Sequence, residues 1–194
     1  MPTQGTIADA DGDIAALVYS SGDRPDLVLC EFARRLADTG QRACGLIQFR
    51  DRSFDAPHRR VMVLDSWQVV DVARKDHVVG NSRCRFDGDW LDRMGGLVKA
   101  SIRRGVDAVI VNRFGPLEAA GRGFRDAIMA ASETETPLII AVPEFEFERW
   151  TRFSNGMAVR LDCTLEPVLG WWNRLSGRDP HGLKLDRRAC ELLK

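Results

Sequence analysis

The residues best placed to do chemistry in this chain are arginines set beside short polar turns. Ser20-Ser21-Gly22 and Arg24 follow the apolar run Ile14 to Tyr19, while Asn112-Arg113 and Gly115 follow the apolar run Val106 to Val111. Amides freed by a Gly-containing turn and planar guanidinium forks match the oxygens of carboxylate, phosphate and other oxyanions. Gln48 ends a third such run and adds a neutral polar contact. The ligand-binding candidates are therefore Ser20, Ser21, Gly22, Arg24, Gln48, Asn112, Arg113 and Gly115, with Arg50 and Arg52 on the loop that follows Gln48. Arg83, Cys84, Arg85 and Arg122 are accessory candidates, because two flanking arginines would lower the pKa of an exposed Cys84 thiol.

Hydrolysis is not predicted. A loop that cradles a nucleoside triphosphate reads G-x-x-x-x-G-K-[ST], its Lys and amides on phosphate and its hydroxyl on magnesium. Residues 20–26 hold neither the Lys nor the second Gly. Asp23 and Asp26 flank Pro25 there, which suits the positive end of a helix and repels a triphosphate. The end of the 106–111 run, where magnesium would want an acidic pair, carries Asn112 and Arg113. No catalytic residue is assigned, with Glu118 the alternative should the chain prove an enzyme. No metal site is expected either: His58, His77 and His181 are scattered, and Cys30, Cys44, Cys84, Cys163 and Cys190 form no C-x-x-C pair.

Composition narrows the class of protein. The chain has 194 residues, with Lys plus Arg and Asp plus Glu both at 28, so no net field favours nucleic acid or an anionic membrane. The apolar runs are strand-sized, well short of a membrane span, and Met1 to Asp13 has no signal-peptide pattern, so a cytoplasmic protein is expected. With one Tyr and no basic aromatic motif, nucleic-acid binding has no support.

The elements that must position these residues can be read from periodicity. Strands are predicted over Asp13 to Tyr19, Arg42 to Phe49, Val106 to Val111, Pro137 to Val142 and Met157 to Leu161. Helices are predicted from Pro25 to Thr39, from Asp87 or Asp89 to Arg104, from Pro116 to Ser132, from Phe145 to Phe153 and from Leu165 to Leu175. Arg60 to Leu64 and Trp67 to Val72 read as a small edge hairpin. Strand and helix in alternation predict an α/β fold: a three-layer sandwich with a mostly parallel sheet. One domain over 13–175 is expected between an extended 1–12 and a tail, 176–194. The carboxyl ends of the strands would gather the candidate loops at one edge, together with Pro143-Glu144.

Ala16-Leu-Val-Tyr19, Cys44-Gly-Leu-Ile-Gln48, Ser82-Arg-Cys-Arg-Phe-Asp87, the stretch Val111-Asn-Arg-Phe-Gly-Pro-Leu-Glu118 through Gly121-Arg-Gly123 to Asp126, and Trp171-Trp172 carry a resemblance. Over about residues 13–175 the chain resembles the bacterial domain-of-unknown-function family 2478. That family in turn is similar to the P-loop nucleoside-triphosphatases of the thermophile type, with degenerate Walker motifs here. The resemblance implies a P-loop NTPase-like fold and an association with molybdate uptake, and leaves the cofactor unknown. The function expected is non-hydrolytic recognition of an oxyanion or phosphorylated small molecule, with a nucleotide-dependent hydrolase or phosphotransferase and a regulatory or interaction subunit as the alternatives. The last would form a homo-oligomer or meet a protein partner through the Trp171-Trp172 helix and the tail.

Overall fold

A computed structural model describes residues 12–49, 58–73, 75, 77–79, 82–84 and 86–177, with backbone alone at 77–79 and 82–84. Arg50, Arg52, Arg85, the side chains of Arg83 and Cys84, and residues 178–194 of the expected tail lie outside that description.

The chain alternates strand and helix as its periodicity predicts. In order come β1 (Ile14–Tyr19), α1 (Pro25–Asp38), β2 (Ala43–Gln48), β3 (His58–Val63), β4 (Gln68–Ala73), β5 (His77–Val79), β6 (Ser82–Cys84) and α2 (Gly88–Arg103). Then follow β7 (Ala108–Asn112), α3 (Pro116–Ala119), α4 (Arg125–Glu133), β8 (Leu138–Pro143), a 3-10 turn (Glu144–Glu146), α5 (Phe147–Phe153), β9 (Val159–Asp162) and α6 (Leu165–Ser176). The main sheet has seven strands in the order β4-β3-β2-β7-β8-β1-β9. Its five strands β2, β7, β8, β1 and β9 run parallel, and the antiparallel hairpin β3–β4 closes one edge against β2. This is the α/β, P-loop NTPase-like sandwich with an edge hairpin that the sequence predicts.

Strand periodicity divides the core in two. Side chains alternate across a strand, so Ala15 and Leu17 of β1 join one core and Ile14, Ala16 and Val18 the other. On the first face α1 places Leu29, Phe32, Ala33 and Leu36 against the sheet at helical spacing. α6 adds Val168, Trp171 and Trp172 to that core. The ring of Phe32 meets Trp172 edge-on at 5.8 Å, and the indole N–H of Trp171 donates to Gly12 O at 2.9 Å. Both tryptophans are thus spent inside the domain rather than at a partner surface. On the second face α2, α4 and α5 contribute Val98, Ile102, Ala127, Ile128 and Trp150.

The helix predicted from Pro116 to Ser132 is broken. α3 stops at Ala119 and α4 starts at Arg125, because Gly121 and Gly123 adopt φ of +86° and +60° between them. A Cβ on Gly123 would lie 2.5 Å from Glu118 Oε1, and one on Gly95 of α2 would run into the carbonyl of Gly123. Glycine here serves a close approach between α2 and the turn, at the cost of one continuous helix.

Candidate functional site

β1 and β8 are neighbours in the sheet, yet the chain leaves β1 for α1 on one face and β8 for α5 on the other. In an open α/β sheet such a topological switch point is where a ligand crevice is expected. The loop 20–24 and the turn Glu144–Glu146 flank it here.

The first loop is a tight turn closed on itself. Asp23 N donates to Ser20 O at 3.1 Å, and Ser20 N donates to the Asp23 carboxylate at 2.7 Å. Ser20 Oγ reaches over the crevice and donates to Glu144 Oε2 at 2.9 Å. Ser21 and Gly22 are exposed at the tip, with open space where a Gly22 side chain would stand. Pro25 starts α1, its fixed φ suited to a first helical position. Arg24 lays its Nε and Nη2 on the buried Asp26 at 3.0 and 2.8 Å, which holds its guanidinium firmly charged while 44% of the side chain stays exposed.

The loop after β7 behaves differently. Asn112 Nδ2 donates to Gln48 O at 3.0 Å, so these two candidates tie the ends of β7 and β2 together. Arg113 is exposed, and its guanidinium carbon lies 5.7 Å from the centre of the Tyr19 ring. Since β8 separates β7 from β1, that side chain must lie across the carboxyl end of β8. Among the described residues Arg113 has no carboxylate partner. Burial pushes the Tyr19 phenol up, and the charge of Arg113 together with a side-chain hydrogen bond from it offsets only part of that rise.

Sequence reasoning missed Arg160. It follows the buried Val159 on β9, exposed by strand alternation, and stacks 4.5 Å over the Phe147 ring with Nη2 3.6 Å from Glu144 Oε1. Alternation alone marked it as outward-facing; only the passage of β9 beside β1 sets it at the crevice.

The remaining candidates lie elsewhere. Gly115 is buried and gives its amide to Glu118 Oε2 at 3.0 Å, while Phe124 N gives to Glu118 Oε1 at 3.3 Å. Glu118 is only 4% exposed. Burial pushes its carboxyl up to about 7, the two amides opposing that rise. It therefore caps α3 and staples the following turn, and does not face the crevice. Arg122 pairs with Asp89 and Asp92 of α2 at 2.9 and 2.6 Å. Burial, then Asp23 and Asp26, raise the Cys163 thiol to about 11, and burial raises Cys44 to about 12, so neither is a thiolate at neutral pH.

A magnesium–nucleotide pair does not fit these residues. The Ser20 amide already serves Asp23, Asp26 lies at the start of α1, and Arg113 stands where an acidic pair would hold the metal. Among the described residues no three His, Cys, Asp or Glu side chains gather to hold a metal ion, and no helix is long and apolar enough to cross a membrane.

No solved structure matches the chain. The molybdenum import ATP-binding protein ModC 2 of Bradyrhizobium diazoefficiens is 30% identical over 167 residues, 85% of this chain. The chain spans 18% of that protein's length. Residues 14–171 match the family described as "Protein of unknown function (DUF2478)". That span opens on the first residue of β1 and closes on the buried Trp171, so it takes in the nine strands described and both the loop 20–24 and the turn Glu144–Glu146. This chain belongs to that family.

Proposed function

We propose that this protein is a non-hydrolytic binding module of the cytoplasm, which recognises a small oxyanion or phosphorylated molecule at the β1–β8 crevice. Arg113 carries the proposal: a guanidinium exposed at a switch point, held over Tyr19, with no carboxylate to neutralise it among the described residues. Ser20 to Gly22 and Arg24 line the same wall. Molybdate is the first ligand to test, because a relative is a molybdenum import ATP-binding protein. The sequestered Glu118 and the Asn112-Arg113 pair argue against hydrolysis.

Thermal denaturation with molybdate, tungstate, sulfate, phosphate and ATP, each with and without magnesium, tests this directly. A ligand at 100 times its Kd stabilises by about 2.7 kcal/mol. Stabilisation by one oxyanion, lost when Arg24 and Arg113 are both replaced by Ala, is the expected result. An unchanged affinity in that double variant rules the site out, and magnesium-dependent turnover lost in Glu118→Gln restores the hydrolase reading.

A second reading draws on one observation: the region similar to this chain is 18% of a longer ATP-binding protein. A module carried within such a chain suits a regulatory role, in which this protein docks a partner. With Trp171 and Trp172 buried, docking would use other residues. Partner binding that survives the loss of Arg24 and Arg113 favours it.

A further inference from the structure

With Trp171 and Trp172 buried in the core, a surface for another protein would lie elsewhere, and the sheet has two edges. β9 forms one of them: among the described residues it pairs with β1 alone, so its other side is open to a further strand. Its four residues, Val159-Arg160-Leu161-Asp162, alternate buried and exposed, which puts Arg160 and Asp162 on one face. Among the described residues Asp162 has no ion-pair partner and Arg160 has Glu144 alone, at 3.6 Å. Phe145 lies in the chain between Glu144 and Phe147, the two residues that touch Arg160. At 85% it is the most exposed large hydrophobic side chain described.

We infer that β9 is a self-recognition edge, at which a second copy of this chain adds its own β9 antiparallel and continues the sheet. A dyad at Leu161 sets Arg160 of each copy opposite Asp162 of the other, and opposite charges directly across an antiparallel pair attract. A dyad moved to Arg160 or to Asp162 sets like charges face to face, so the charges pick one register. Charged residues on a short edge strand ordinarily repel other strands. Here the two signs, two residues apart, turn that device into selection for an identical copy. β4, the opposite edge, holds one charge, Asp71, and has no such pattern. Backbone pairing over four residues is a small contact, and Phe145 beside Arg160 supplies apolar area where the copies meet. Because the strands run antiparallel across the dyad, the two β1–β8 switch points lie at opposite ends of the joined sheet.

Sedimentation equilibrium of the full chain tests this in wild type, Arg160→Asp, Asp162→Arg and an equimolar mixture of the two variants. Both side chains are exposed, so the variants are expected to fold, and circular dichroism checks it. Wild type is expected to be a dimer of micromolar Kd. Each reversal makes both dyad-related pairs repulsive and should weaken self-association by at least about tenfold. The mixture brings two opposite-charge pairs back and should form heterodimers with a Kd within about threefold of wild type. The milder Arg160→Gln and Asp162→Asn each remove both attractions, should weaken the dimer by about threefold, and decide the matter where a reversal does not fold. Wild type that stays monomeric into the hundreds of micromolar overturns the inference, whatever covers the edge. A dimer that none of these variants weakens sits on another face and overturns it too. Loss in both reversals with no recovery in the mixture does the same, since it marks general charge or packing rather than this register.

Discussion

The loops after β1 and β7 are the two places where a P-loop nucleoside-triphosphatase keeps its machinery, and here they are built in opposite ways. The loop after β1 is closed by its own acids: Asp23 on the Ser20 amide, Asp26 on the Arg24 fork, and Glu144 on the Ser20 hydroxyl. The loop after β7 sends its acid inward and its cation outward, with Glu118 buried on two amides and Arg113 exposed over Tyr19. Both contain a carboxylate within a few residues of an arginine. The lesson is that the role of each charge follows from its surroundings: a buried carboxylate with two amide donors is a structural staple, whereas an exposed arginine with no carboxylate beside it among the described residues is the one proposed to meet a ligand.

The largest effect that would test this contrast concerns Glu118. Its folded pKa of about 7 lies above the ordinary 4.5, so the native state holds this proton more tightly than the unfolded chain does. The sign follows: the stability it contributes is full below pH 4.5 and is lost as pH rises to about 7, at most about 3 kcal/mol in all. Urea denaturation of wild type across that window should show this decline, and Glu118→Gln should flatten it. An unchanged slope in the variant would place the titration elsewhere.

Gly123→Ala should cost about 2 kcal/mol, since the new methyl meets Glu118 at a backbone φ of +60°. A thermal midpoint equal to wild type would mean that the staple is loose. Of smaller size, Arg113→Ala should weaken oxyanion binding by at least about tenfold, or about 1.4 kcal/mol. Smallest of all, Arg24→Ala should weaken it by about threefold or less, because Asp26 already neutralises that guanidinium. If titration ranks Arg24 above Arg113, the contrast between the two loops is drawn the wrong way round.

Much of this was legible in the residues. The runs Ile14 to Tyr19 and Val106 to Val111 read as strands, and the helix predicted from Pro25 to Thr39 is α1 to within one residue. The break between Ala119 and Arg125 was not predicted, although Gly121 and Gly123 stand there in the sequence, because it depends on the approach of Gly95 from α2. Asn112 and Gln48 were picked out as polar contacts, and the structure has them holding strand ends together. Arg160 left no local trace, because an outward residue on an edge strand looks the same wherever that strand docks.

The sequence by itself determined the strand–helix order and the residue types at 20–26 and 112–113, where no lysine and no acidic pair stand, since these depend on residue type and short-range spacing. Only the tertiary structure decided which charges meet one another among the described residues. Ser20 meets Glu144 across 124 positions of chain, and Arg113 reaches Tyr19 over the end of β8, because strand order, which local periodicity does not encode, makes β1 and β8 neighbours. A carboxylate's function depends on what lies within a few ångströms of it, and in a parallel sheet those neighbours come from distant segments joined by crossovers.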